Sequence, residues 1–282
     1  MGTLYLVATP IGNLEDVSLR ALRVLREARL IAAEDTRVTR RLLDHYQIAA
    51  RPISLNAANE RRRRPALLAA LADGDVALVS DAGTPTVSDP GADLVSAALE
   101  AGHAVVPIPG PSAVLAALAA SGLGGGPFTF VGFLPRRGGE RRGALARLVE
   151  LPHPLVLFEA PTRLLATLGD LRAALGDRPA AVARELTKLH EEVVRGELGA
   201  LVAHFEARPP RGEVTLVVGP AVHGKVSQVS QVSQLADADL DAALAEAVAR
   251  GLRPRAAAAE VAQRAGRPAR ELYRRMVGRS GN

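Results

Sequence analysis

The chain has 282 residues, 48% hydrophobic and 23% charged, a balance typical of proteins that bury sizeable cores and not of a disordered chain. Its length predicts about two domains with room for a small third. The absence of cysteine excludes a disulfide framework, a thiolate zinc site and a cysteine nucleophile, and the six histidines form no HExxH pair, so we expect no catalytic metal.

Short apolar runs alternate with segments of helical spacing along most of the chain. Continuous apolar strands bounded by helices are typical of sheets covered on both faces, so the pattern predicts the α/β class and a parallel sheet. Eight strands are predicted, at residues 3–9, 29–33, 75–80, 103–108, 128–133, 154–158, 180–184 and 213–218.

Four of these strands are followed by turns that combine a polar group with a proline near the first helical position. They read TPIGN, SDAGTP, PGPS and EAPT. Any one of them is a good connection from strand to helix, because proline loses nothing where its missing N–H would be unpaired. Since the carboxyl ends of parallel strands share one edge of a sheet, the four together favour a ligand site there.

The segment from 119 to 127 is rich in small residues and predicts a boundary between a first domain, 1–118, and a second domain, 119–225. A three-residue repeat, VSQVSQVSQ, lies in the predicted linker 226–236. Beyond it, residues 237–282 predict three helices with the spacing of a helix-turn-helix, which any three-helix bundle would also show.

The net charge of +5 is distributed unevenly, because residues 250–282 contain nine arginines and two glutamates. Such a basic tail fits either a polyanionic partner or a solvated helix face. The first twelve residues lack a basic leader region, and no apolar run approaches the roughly 18 residues of a spanning helix. We therefore expect a cytoplasmic protein.

Seven motifs carry a family resemblance. They are LYLVATPIGNLEDVSLRAL, AAEDTR, SDAGTPTVSDPG, PIPGPSA, FVGFLPR, EAPTRL and RELTKLHEE. In order and spacing, these motifs resemble the tetrapyrrole-methylase-like superfamily, and within it the ribosomal small-subunit RNA methyltransferase I family, whose members methylate a cytidine 2′-hydroxyl in the decoding region. The resemblance covers roughly residues 3–220, and the helical tail is also similar to that family's.

The resemblance implies two αβα domains, S-adenosylmethionine bound in the cleft between them, and a homodimer. Its cofactor positions fall on Pro10, Asp81, Gly83, Thr84, Ser112, Ala113, Phe158 and Leu186. The chain departs from the family where SYHEHNE becomes SLNAANE and YEAPHRL becomes FEAPTRL. Asn56, Ala58 and Thr162 stand in the place of histidines, which excludes a catalytic histidine at these positions.

For methyl transfer to a ribose hydroxyl, the protein must align the reactants and assist a poor nucleophile. We predict Asp35 or Glu185 as the base and Lys188 as the electrostatic partner, although ion pairing alone would also explain these charges. Predicted RNA contacts are Arg136, Arg137, Arg141, Arg142 and Arg163, with the runs 61–64 and the basic tail as further candidates.

Two other functions fit parts of the sequence. A methyltransferase acting on a tetrapyrrole would need an apolar pocket and no basic tail. A non-catalytic RNA-binding or assembly factor would bind RNA without S-adenosylmethionine and transfer no methyl group. The basic tail and the arginine clusters favour an RNA substrate, read through shape and phosphates because only 3% of the residues are aromatic.

Overall fold

The computed structural model describes residues 2–149, 151–220, 237–250, 252–265 and 269–279. Residues 1–221 form one compact unit and 222–282 another. The first unit contains two five-stranded sheets. The first sheet is entirely parallel, in the order β3-β2-β4-β1-β5, and its strands are β1 (Thr3–Val7), β2 (Leu30–Ala33), β3 (Ile53–Ser54), β4 (Val76–Val79) and β5 (Ala104–Ile108).

Helices cover both faces of the first sheet. One apolar cluster joins its strands to α1 (Leu19–Glu27) and α2 (Thr36–His45), and another joins them to α3 (Glu60–Asp73) and α4 (Ala92–Glu100). The all-apolar strand β4 is buried at every position, as a central strand between two helical layers requires. A short 3-10 helix, Leu14–Asp16, precedes α1.

The second sheet corrects the expectation of a parallel arrangement. Its order is β6-β7-β10-β8-β9, and only β6 and β7 are parallel, whereas β10 runs antiparallel to both of its neighbours. The hairpin from β8 to β9 adds an exposed edge strand. The strands are β6 (Thr129–Phe133), β7 (Leu155–Glu159), β8 (Pro179–Arg184), β9 (Glu192–Glu197) and β10 (Val214–Val218).

Helices on the second sheet come from both sides of the predicted domain boundary. One face packs against α6 (Gly138–Val149), α7 (Pro161–Leu175) and α8 (Leu198–Ala207). The other face packs against α5 (Ala113–Ser121), through Val114, Ala117 and Leu118. The predicted boundary at 118/119 therefore falls inside a helix that leaves the first sheet and lies on the second.

The second unit contains three helices with a small core of their own. They are α9 (Asp237–Ala249), α10 (Pro254–Ala265) and α11 (Ala269–Arg279). Leu240, Leu244, Val261 and Leu272 are buried in this core, and the guanidinium of Arg255 lies 5.8 Å from the ring centre of Tyr273. The predicted linker 226–236 lies outside the described residues.

The predicted α/β class is confirmed, with two sheets that each carry helices on both faces and a helical C-terminal part. All eight predicted strands are present within two residues of their predicted ends, and β3 and β9 are additional. Within the described ranges, no helix has the length and apolar character needed to cross a bilayer.

Candidate active site

The main cleft lies between the carboxyl edge of the first sheet and the second sheet, and has a volume of about 540 Å³. This size is in the range of small-molecule sites. Five of the predicted cofactor residues line it: Gly83, Thr84, Ser112, Ala113 and Phe158. Leu186 lies outside the lining and packs with Phe158 against the apolar cluster under α5.

Two loops of the first sheet are joined where they enter the cleft. Thr9 and Gly83 exchange backbone hydrogen bonds of 2.8 and 2.9 Å, and the Thr9 hydroxyl donates to the carbonyl of Ser80 at 3.1 Å. Gly83 has φ +79°, a conformation that glycine adopts at little cost. The loops after β1 and β4 therefore form one unit.

The far end of the β4–α4 loop is held by Glu60, at the beginning of α3. This buried carboxylate accepts hydrogen bonds from the backbone N–H groups of Gly91 at 3.2 Å and Leu94 at 3.1 Å. These donors belong to the first turn of α4, which has no side-chain cap of its own. Glu60 thereby fixes the end of the segment whose residues 82–89 contribute to the cleft.

Backbone strain is concentrated in the loops around the site. Five non-glycine residues in the described chain have positive φ, and four of them lie in two loops: Thr86 and Ser88 after β4, Glu185 and Thr187 after β8. Each such residue costs about 1–3 kcal/mol and persists only where its surroundings hold it. The clustering is typical of a functional site.

Aromatic side chains form the wall of the cleft on the side of the second sheet. Phe128, Phe130, Phe133 and Phe158 line it, four of the five phenylalanines in the chain. The ring centres of Phe130 and Phe133 lie 5.1 and 5.6 Å from that of Phe158, and Phe133 is 56% exposed. The cleft thus offers flat apolar surfaces to a planar ligand.

A second cavity of about 360 Å³ adjoins the cleft and shares Ile11, Ala82 and Glu213 with it. We call it the polar chamber. Its remaining lining residues are Thr9, Pro10, Gly12, Leu14, Val38, Thr39, Arg41, Leu42, Ser80, Asp81 and Lys188. Pro10 and Asp81, predicted as cofactor positions, therefore face this chamber together with the predicted electrostatic residue Lys188.

Lys188 lies in a hydrogen-bonded network of the second sheet, next to the first loop of the first sheet. Its ammonium donates to Glu185 Oε1 at 2.9 Å and to Glu213 Oε2 at 3.1 Å. Partial burial lowers the pKa of Lys188, but the hydrogen bonds to the two glutamates outweigh it and raise the pKa, so the side chain stays cationic. A Cβ on Gly12 would lie 2.4 Å from Lys188 Cγ, which shows how closely the first loop meets this lysine.

Three carboxyl groups near the site resist ionisation. Burial, followed by the charge of Glu34, raises the pKa of Asp89 to about 6. Burial also raises the pKa of Asp81 and Glu34. The three interact with one another, since Glu34 accepts from the Asp81 N–H at 3.3 Å and the charges of Glu34 and Asp81 both act on Asp89. Such a group favours a cation in the adjoining cleft.

The two predicted bases lie in a different electrostatic environment. The hydrogen bonds from the Arg37 side chain and backbone lower the pKa of Asp35 to about 2, and Asp35 also caps α2. The Glu213 N–H, followed by Lys188, lowers the pKa of Glu185. The lowered pKa makes Asp35 a weaker base than Asp81, which faces the polar chamber, and the hydrogen bonds to Glu185 favour its ionised form.

The predicted RNA-binding arginines fall into two groups. Arg136, Arg137 and Arg142 are exposed around the beginning of α6. Arg141 is buried and donates to Asp170, Thr167 and the carbonyl of Pro135. Arg163 pairs with the buried Glu159 at 3.3 Å and donates to the Leu134 carbonyl. The guanidinium groups of Arg141 and Arg163 thus hold the β6–α6 loop in place, Arg141 from a buried position, and their predicted RNA contacts stay predictions.

The sequence interpretation missed several residues of the site, among them Glu60, Thr39, Glu213 and Phe133. In the sequence, Glu60 was recognised only as the last residue of the SLNAANE motif. Asn56 of the same motif forms a local turn, because its side chain accepts hydrogen bonds from the N–H groups of Ala58 and Asn59. Phe133 lies in the FVGFLPR motif, where an apolar residue of a strand is expected to belong to the hydrophobic core. Thr39 and Glu213 carried no signal.

Comparison with known proteins identifies the relatives of this chain. Residues 3–202 match the model of the Tetrapyrrole (Corrin/Porphyrin) Methylases. The chain is 48% identical to Ribosomal RNA small subunit methyltransferase I of Mesorhizobium japonicum, covering 97% of this chain and 91% of that protein. It is 46% identical to the protein of the same name from Synechocystis sp., covering 97% and 96%.

Among solved structures, uroporphyrin-III C-methyl transferase from Thermus thermophilus, complexed with S-adenyl homocysteine, is 24% identical with a TM-score of 0.55, covering 78% of this chain and 99% of that one. That likeness shows the shared fold. The residues matched by the family model include the first sheet and four of the five strands of the second, β6 to β9. The chain belongs to the tetrapyrrole methylase family, in the branch whose curated members are called Ribosomal RNA small subunit methyltransferase I.

Proposed function

We propose that the protein transfers a methyl group from S-adenosylmethionine to the 2′-oxygen of a cytidine in small-subunit ribosomal RNA. The single observation that supports this most is the combination, in one place, of an aromatic cleft and an adjoining polar chamber, in a chain 46–48% identical to proteins with that name. The donor would bind in the cleft, and the acceptor would lie on the side of the polar chamber.

The chemistry of the cleft fits S-adenosylmethionine. Its phenylalanine wall suits the adenine ring, and Asp89 lies in the same lining with its negatively charged neighbours Glu34 and Asp81. A cation stabilises the ionised form of carboxyl groups whose pKa is raised by burial. Ser112, as the N-cap of α5, and the backbone around Gly83 supply polar contacts from the first sheet.

When bound, S-adenosylmethionine supplies a methyl carbon already activated by its sulfonium, so the chain's main contribution is to position the acceptor. Lys188, held cationic by Glu185 and Glu213, would stabilise negative charge developing on the ribose oxygen. Asp81 would accept the hydroxyl proton, because its pKa is raised whereas those of Asp35 and Glu185 are lowered.

RNA would reach the site over the exposed arginines 136, 137 and 142, whose guanidinium groups suit phosphates. The relatives' name supports ribosomal RNA as the substrate. An assembled small subunit, a homodimeric enzyme and action in the cytoplasm remain parts of the proposal. Each has its own measurement: transfer to subunits against naked RNA, sedimentation of the free protein, and cell fractionation.

The proposal is tested by incubating the protein with labelled S-adenosylmethionine and small subunits that lack the modification. We expect label in one cytidine, at a linkage that becomes resistant to alkali. Asp81→Asn should lower the single-turnover rate at saturating donor by about 10²–10⁴-fold, and more than Asp35→Asn or Glu185→Gln. Donor binding without methyl transfer to any ribosomal RNA would contradict the function, and an unchanged Asp81→Asn rate would contradict the base.

A further inference from the structure

The polar chamber contains a buried hydroxyl that the protein itself does not satisfy. Thr39 is 4% exposed, yet its Oγ1 has no hydrogen-bond partner within the described residues. Leaving a buried polar group unpaired is costly, and an isosteric valine would avoid that cost. Thr39 lies one turn inside α2 and is one of the residues that line the chamber.

The chamber also differs from the main cleft in its charges. Lys188 and the exposed Arg41 supply two cations, Asp81 and Glu213 supply carboxylates, and no phenylalanine contributes to the lining. The cleft, by contrast, contains the four phenylalanines, and among the described residues no arginine or lysine lines it. Two neighbouring cavities of unlike chemistry suit two ligands of unlike chemistry.

The two cavities share few of their lining residues. Of the chamber's lining residues, three are shared with the cleft: Ile11 and Ala82 from the two joined loops, and Glu213 from the beginning of β10. Glu213 accepts from Lys188, so the cation lies at the side where the chamber meets the cleft. A ligand in the chamber is therefore next to a ligand in the cleft, beside the lysine.

We propose that the polar chamber is the binding site of the target ribonucleotide, with the Thr39 hydroxyl as a hydrogen-bond partner of its sugar or base and Arg41 as the contact for a flanking phosphate. This proposal rests on the proposed function and names the subsite in which its acceptor lies. A ribonucleotide satisfies the chamber's chemistry, because it carries hydroxyl and amide groups for Thr39 and Asp81 and an anion for the guanidinium.

Thr39→Val is the decisive variant, because it keeps the side-chain shape and removes only the unpaired hydroxyl. We expect an unfolding midpoint equal to or higher than that of the wild type and an affinity for S-adenosylhomocysteine, measured by calorimetry, within twofold. The kcat/KM for small subunits should fall about five- to tenfold, the value of one hydrogen bond. A structural role alone would lower stability and leave kcat/KM for the remaining folded enzyme intact.

Arg41→Ala tests the phosphate contact, with Arg40→Ala as its matched control on the same helix. Arg40 is exposed like Arg41 but does not line the chamber. We expect Arg41→Ala to raise KM for subunits at least fivefold. The slope of log kcat/KM against log salt concentration should become shallower by nearly the amount that one phosphate contact contributes. In Arg40→Ala, KM should stay within twofold of the wild type.

Two results would overturn the proposal: an unchanged kcat/KM in Thr39→Val, or a loss of S-adenosylhomocysteine affinity as large as the loss in kcat/KM, which would make the chamber part of the donor site. Failure of the proposed function has a different signature, since the wild type itself would then transfer no methyl group to subunits.

Discussion

Removing the Glu60 carboxylate should destabilise the protein at the cleft loop. In Glu60→Ala, the N–H groups of Gly91 and Leu94 lose their partner in a buried place. A hydrogen bond to a charged group contributes about 1.5–3 kcal/mol, so losing two of them is expected to cost roughly 3 kcal/mol or more. Glu60→Gln keeps one acceptor oxygen and should lose about half as much.

The measurement is urea unfolding of the full chain followed by circular dichroism, with S-adenosylhomocysteine affinity as a second readout. Glu100→Ala is the control, because Glu100 is an exposed residue at the other end of α4. Affinity should fall in Glu60→Ala, since the loop fixed by Glu60 lines the cleft. A Glu60→Ala protein within about 0.5 kcal/mol of the wild type would refute the reasoning.

Three further outcomes are expected. Gly212→Ala should lower the unfolding midpoint, because Gly212 has φ +80° and a Cβ there would lie 2.1 Å from Glu185 Oε1; the left-handed backbone alone costs about 1–2 kcal/mol. Asp35→Asn retains the helix cap but loses the pair with Arg37. Folding lowers the Asp35 pKa from 3.8 to about 2. The wild type should therefore have a higher free energy of unfolding than Asp35→Asn, with the full difference above pH 4 and none towards pH 2, as measured by acid unfolding curves. Phe133→Ala should weaken S-adenosylhomocysteine binding about 5- to 100-fold with little change in stability, whereas the exposed control Leu115→Ala, outside the cleft, leaves calorimetric affinity unchanged.

The sequence predicted four of the five strands of the first sheet, because these four are apolar and separated by helices, and it missed the two-residue edge strand β3. The second sheet was harder. Its edge strand β9, EVVRGE, is polar and only partly buried, so it lacks the apolar run that marks the inner strands. Strand direction is also invisible to an apolar pattern, because β10 buries all five residues whether it runs parallel or antiparallel to its neighbours.

The loops of the site were predictable from their prolines, glycines and charges, but the roles of individual side chains were not. Arg141 and Arg136 look alike in the sequence, and only packing shows that Arg141 is enclosed by Asp170 and Thr167. Thr39 looks like an ordinary helix residue, since the missing partner of its hydroxyl is a property of the folded surroundings. Long-range contacts such as those of Glu60 depend on the tertiary fold in the same way.

The left-handed conformations of Thr86, Ser88, Glu185 and Thr187 bear on how this protein would respond to engineering. Glycine would relax the backbone at each of these positions, but at Glu185 it would also remove the hydrogen bonds from Lys188 and the Glu213 N–H, so a search for heat-resistant variants is expected to find changes at the other three positions early. The same changes would loosen the two loops that shape the donor and acceptor sides. Selection for thermal resistance alone should therefore yield enzymes that survive heating and turn over slowly, and screening for both properties would spare these four positions.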